Sequence, residues 1–81
     1  MKTMSCKQLG GACNLQFRGE TFEEIADMSR EHGMRMFRAG DQAHLQAMEK
    51  MKALMSKPDA MRKWFEDKRT VFNNLRDDPE G

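Results

Sequence analysis

Apolar side chains recur with two different periods along this chain, and the change of period divides it. Met4 and Cys6 lie on one side of the segment Lys2 to Lys7. Cys13, Leu15 and Phe17 alternate with Asn14, Gln16 and Arg18. A period of two predicts extended strands. The five residues Gln8 to Ala12 between them hold Gly10 and Gly11, which suit a tight reversal needing positive φ. The first 18 residues therefore predict a β-hairpin with both cysteines near its turn end. Their sharing a face depends on register, because a slip of one residue moves a side chain to the opposite face.

From Phe22 the period lengthens. Phe22, Ile25, Ala26, Ser29, Gly33, Met36 and Phe37 fall on one face of a helix. His32 lies inside that stripe and so points inward, towards the hairpin. Gly33 is expected to let the helix approach the hairpin closely. Thr21 and Glu24 form a T-x-x-E capping box at the start, and Glu20, Glu23 and Glu24 suit the positive end of the helix dipole.

Gly40 closes this helix and Asp41 is the next N-cap. A second helix is predicted from about Gln42 to Met55, with His44, Met48, Met51 and Met55 on one stripe. Pro58 breaks it and opens a third helix, with Met61, Trp64, Phe65, Lys68, Val71, Phe72 and Leu75 at core spacing. Asp77 to Gly81 are expected to fray. The fold class is thus α+β and helix-rich, one domain over residues 1–81. A ββα unit (1–39) is followed by a helical hairpin (40–76) and a frayed tail (77–81).

Composition narrows the functional classes. Of 81 residues, 38% are hydrophobic and 33% charged, so the core is small, and a metal or a partner subunit is a common supplement at this size. Fourteen basic residues against thirteen acidic leave a net charge of +1, which gives no electrostatic case for nucleic acid or an anionic membrane. No apolar run approaches the ~20 residues that span a bilayer. The opening MKTMSCKQLGGAC lacks the apolar core of a signal peptide, so a cytoplasmic address is expected. In that reducing compartment the two cysteines are expected as thiols or metal ligands.

Two soft thiols on a hairpin and one imidazole on the adjoining helix make three quarters of a tetrahedral metal site. Cys6, Cys13 and His32 are the candidate ligands, for zinc or for Cu(I). The competing account packs both cysteines as small hydrophobes and His32 as a core histidine. A Cys6–Cys13 disulfide, acting as a thiol-redox switch, is a further alternative. No Gly-rich phosphate loop, no third orienting group beside a Cys–His pair and no paired inward carboxylates point to catalysis. The nine methionines fall at helical core spacing, so core packing or a partner-helix surface accounts for them better than a flexible copper-carrying tract. Trp64 and Phe65 are the expected anchor of a homo-oligomer contact, should the helices need one.

The run MKTMSCKQLGGACNLQFRGETFEEIADMSREHG resembles a domain-of-unknown-function family described as predicted small metal-binding proteins. The likeness rests on S-C-K-x-L-G, on the second cysteine just past the turn, on R-G-E-T-x-E-E at the helix start and on E-H near its end, about 33 residues in all. The stretch from Gly40 resembles a longer subgroup with G-D-x-A-H-L-x-A-M. The resemblance implies a ββα unit and a metal site at Cys6, Cys13 and His32. Members carry a second histidine about five residues after the first, where this chain has Phe37.

The fourth ligand must then come from elsewhere. Met36 lies one turn past His32 and its thioether would favour Cu(I); His44 lies on the inward face of the second helix and would favour zinc. Reaching the cysteines requires that helix to fold back over the hairpin, and a water or an open position is the remaining option. The leading expectation is a small cytoplasmic, non-enzymatic zinc-binding protein in which the metal ties hairpin to helix. The alternative is a metal-free helical interaction module.

Overall fold

The computed structural model of the protein describes residues 1–79. Two antiparallel strands, β1 (Lys2–Ser5) and β2 (Gln16–Gly19), precede three helices: α1 (Phe22–Ala39), α2 (Gln42–Met55) and α3 (Pro58–Asn74). This is the α+β arrangement expected, a ββα unit followed by a helical hairpin. In the register, Met4 stands opposite Phe17 and Ser5 opposite Gln16. Both members of the first pair are buried, and α1 covers them with Phe22 and Ile25. Met4 and Ile25 are wholly inaccessible, which makes the face of the hairpin against α1 the centre of the core.

The strands are shorter than the alternation predicts, and both cysteines lie beyond them. After Ser5 the chain winds into a single 3-10 turn, Lys7–Leu9, with Cys6 at its N-terminal boundary. The reason is local. Ser5 Oγ accepts from the amide of Gln8 (3.1 Å) while Gln8 Oε1 accepts from the amide of Ser5 (2.8 Å). Ser5-Cys6-Lys7-Gln8 is thus an S-x-x-Q capping box, which stabilises a helical turn over further strand. Gly10 ends the turn at φ 90°, whereas Gly11 does not need positive φ. Leu15, expected on the inner face, is 49% exposed, because the regular ladder reaches back only to Gln16.

The helix boundaries follow their caps. Thr21 Oγ1 accepts from the amide of Glu24 (3.2 Å), Gly40 closes α1 at φ 71°, and Asp41 caps α2. Pro58 occupies the first turn of α3. Helix α3 returns across the hairpin and sends Phe72 into the core, edge-on to Phe22 at 6.1 Å between ring centres. Three expectations need correction here. Phe37 is 63% exposed, since α1 runs beyond the small hairpin, and Met61, Phe65 and Val71 of α3 are exposed as well. Gly33 faces Met48 of α2 and not the hairpin.

The tail is pinned as far as Asp78. Its amide donates to the carbonyl of Met1, and its carboxylate accepts from Thr3 Oγ1 at 2.6 Å and from Arg18 Nε at 3.0 Å. Two polar partners on the hairpin thus hold a residue expected to fray; Glu80 and Gly81 lie outside the described residues.

Candidate metal centre

The turn that displaces the cysteines from the strands also gathers them. Cys6 N donates to Leu15 O (2.8 Å) and Lys7 N to Cys13 O (3.0 Å), so the two arms of the loop remain paired past the strands. The carbonyl of Cys6 accepts from the amides of Leu9 (3.1 Å) and Gly11 (2.8 Å), which folds Gly11 back beneath the Cys6 side chain. A Cβ at Gly11 would collide with Cys6 Sγ and meet the Cys6 carbonyl oxygen at 3.0 Å. Glycine is required here by close approach and not by backbone dihedral.

Helix α1 brings His32 to this loop from one side, and α2 brings His44 from the other. Cys13 Sγ lies 3.3 Å from His32 Nε2, and Cys6 Sγ lies 3.7 Å from His44 Nε2. The two imidazoles cross edge to face, 5.2 Å between centres. All four ligand atoms fall within 4.8 Å of one another. Bonds of about 2.3 Å to sulfur and about 2.0–2.1 Å to nitrogen put the corners of a zinc tetrahedron about 3.3 to 3.8 Å apart. The two short pairs already match those edges, and a small inward movement of the remaining corners would complete them.

The expected trio Cys6, Cys13 and His32 therefore converges, and His44 stands as the fourth member. Helix α2 folds back as that reach requires, through the short turn at Gly40. Two thiols and two imidazoles are thus assembled, and Met36 is a half-buried residue of α1.

Asp41 was legible in the sequence only as a helix cap, and it does more. Its Oδ1 accepts from the amide of His44 at 3.0 Å and lies 2.8 Å from His44 Nδ1. A proton held on Nδ1 by that carboxylate leaves Nε2 as the lone-pair nitrogen, aimed at the sulfurs. This carboxylate–imidazole support is a usual companion of metal-ligating histidine. The Asp41 hydrogen bond raises the His44 pKa against the opposing effect of burial. The same contact lowers that of Asp41. His32 shifts the other way: burial disfavours its cation first, and the charges of His44 and Arg35 add to that.

The two thiols differ as well. Burial pushes Cys6 up, over the opposing pull of the Cys13 and Ala12 amides. At Cys13, burial also acts upward but is outweighed by the Leu15 amide, by His44 and by Cys6, so its thiol ionises more readily than usual. Cys13 is half-buried and Cys6 buried, so the centre has an accessible side and an interior side. A cavity of about 120 Å³ adjoins the interior side, lined in part by Cys6, His44, Met48 and Met51.

Comparison with protein-family models, with curated proteins and with solved structures finds no match to this chain. Among the described residues, no helix is long and apolar enough to cross a membrane.

Proposed function

We propose that this chain is a small, non-enzymatic metal-binding protein holding one zinc ion at Cys6, Cys13, His32 and His44. One observation carries the reading: four side chains from a loop and two separate helices bring two sulfurs and two imidazole nitrogens within 4.8 Å of one another. Two thiolates and two imidazoles form a donor set suited to tetrahedral zinc. Four protein ligands also fill that tetrahedron, leaving no open position for substrate, which is the mark of a structural site.

The role of the metal follows from where its ligands sit. Coordination joins the hairpin loop to α1 and α2 at once. Among the described residues seven hydrophobic side chains are buried, so a cross-link of this kind is a large addition to a small core. Metal occupancy is then coupled to folding, and binding releases the protons of the two thiols. A reducing, cytoplasmic setting keeps both thiols available as ligands. Copper(I) is the competing occupant, favoured by the thioethers of Met48 and Met51 beside Cys6 and His44.

Titration of the reduced chain with zinc, followed by native mass spectrometry and proton release, tests it. One zinc per chain is expected, and that stoichiometry is lost in Cys6→Ser, His32→Ala and His44→Ala. A chain that takes up no zinc, or takes it up equally well in all three variants, overturns the proposal. Competition between zinc and Cu(I) on the same protein assigns the metal.

A further inference from the structure

Helix α2 is held differently from its neighbours. Helix α1 sends Phe22 and Ile25 into the core and α3 sends Phe72, all of them apolar. Among the described residues, the one buried side chain of α2 is His44, a candidate ligand. Met48, Met51 and Leu54 of the same helix are only half-buried. The attachment of α2 to the hairpin loop is therefore centred on the metal site.

The two sulfurs of that site belong to one short loop. Its arms stay paired, Cys6 N to Leu15 O at 2.8 Å and Lys7 N to Cys13 O at 3.0 Å. The two Sγ atoms lie within 4.8 Å of each other. The amide of Cys13 donates to Cys6 Sγ, which sets this sulfur against the backbone of the other cysteine. Both thiols are free, Cys6 buried and Cys13 half-buried, so a reagent arriving from solvent meets Cys13 first.

We propose that Cys13 and Cys6 form a peroxide-reactive pair, Cys13 attacking and Cys6 resolving, whose oxidation to a disulfide expels the zinc and frees α2 from the hairpin loop. This rests on the zinc reading above. In the first step Cys13 Sγ attacks one oxygen of hydrogen peroxide. An S–O bond forms, the O–O bond breaks, and the departing hydroxide takes a proton to become water. Cys13 is then a sulfenic acid and no longer a thiolate ligand. In the second step Cys6 Sγ displaces the hydroxyl from Cys13 Sγ, and that hydroxide also leaves as water. The two sulfurs lose two electrons in all and the peroxide gains them, so none is taken from the zinc, which is released as Zn²⁺. Sulfurs joined in a disulfide carry no thiolate charge, so they hold no metal until they are reduced. The two cross-links also differ in what they join. Zinc ties the loop to His32 on α1 and to His44 on α2, whereas the disulfide only closes the segment from Cys6 to Cys13 on itself.

The test treats the zinc-loaded full chain and the reduced, metal-free chain with a small excess of hydrogen peroxide. Intact mass and thiol counting follow the sulfurs, a chromophoric chelator follows free zinc, and hydrogen exchange follows the helices. One zinc is expected to be released for each Cys6–Cys13 disulfide formed, and reduction with dithiothreitol is expected to restore binding. Amide protection should be lost in α2 while it persists in the hairpin and around Phe22 and Ile25 of α1. In the metal-free chain, Cys6→Ser is expected to stop at a Cys13 sulfenic acid that dimedone traps, and Cys13→Ser to give no adduct. Zinc retained under peroxide, or zinc lost without the disulfide, overturns the proposal and leaves the zinc reading in place. Equal dimedone adducts in the two variants overturn the order of attack, and unchanged α2 protection in the disulfide form overturns the release of the helix. A chain that forms the disulfide but never took up zinc overturns the zinc reading, and the release step with it.

Discussion

The carboxylate of Asp41 holds the imidazole of His44 through Nδ1 at 2.8 Å while its same oxygen caps the amide of that residue at 3.0 Å. One side chain thus starts α2 and sets the tautomer of a candidate ligand. Removing it should weaken metal binding without touching the metal. Loss of such a partner commonly costs about 10- to 100-fold in affinity. Asp41→Ala is expected to fall in that range. Asp41→Asn, which still caps the helix and still accepts a hydrogen bond, should fall less. Zinc competition with a chromophoric chelator measures both, and equal affinities in wild type and Asp41→Ala would refute the supporting role.

Gly11 offers a second test that leaves every ligand in place. An alanine there drives its methyl group into Cys6 Sγ and against the Cys6 carbonyl, which is backbone and cannot swing aside. Gly11→Ala is therefore expected to abolish one-to-one zinc binding. Native mass spectrometry of the refolded variant shows the outcome, and full zinc occupancy would mean that the loop has another way to present Cys6.

These two residues also mark where the sequence was and was not legible. Helix starts and stops could be read at Thr21, Gly40, Asp41 and Pro58, because capping chemistry is local and depends on side chains a few residues apart. The convergence of Cys6, Cys13 and His32 could be read from a hairpin followed by an inward-facing stripe. The exact path of the hairpin could not. Alternation at Cys13, Leu15 and Phe17 suggested a longer strand, while the S-x-x-Q box at Ser5 and Gln8, a signal present in the sequence, favoured a 3-10 turn. The second duty of Asp41 and the steric role of Gly11 depend on how α2 and the loop sit against other elements, and no local pattern encodes that. The exposure of Phe37 was hidden for a related reason: periodicity assigns a face to a helix but not the length over which the hairpin covers it.

Acid should release the tail. Asp78 is held by Thr3 Oγ1 first and by Arg18 second, and both hold its carboxyl below the ordinary range. A carboxylate with a lowered folded pKa contributes stability above its unfolded value, near 3.8. That contribution disappears as pH falls through the folded value. Carbon-detected titration of Asp78 is expected to give a midpoint below 3.8 in wild type, moving upward in Arg18→Ala and Thr3→Val. An unshifted midpoint in wild type would mean that the tail is not docked in solution.

The core and the metal should substitute for one another in part. Met4 is wholly buried between Phe17 and α1, and truncating such a residue to alanine costs about 2–5 kcal/mol. A chain of this length has about 4–12 kcal/mol of stability in total. Met4→Ala without metal is therefore expected near the limit of folding. Zinc that binds only the folded state, at a free concentration about 1,000 times its dissociation constant, adds about 4.1 kcal/mol. Met4→Ala is expected to show a dispersed amide spectrum with zinc and a collapsed one after chelation, while the wild type stays folded in both. The same substitution combined with His44→Ala should stay unfolded with or without zinc, because the link from α2 to the hairpin loop is then gone. Identical denaturant midpoints for Met4→Ala with and without zinc would show that the ion, even if bound, does not hold the hairpin to the helices.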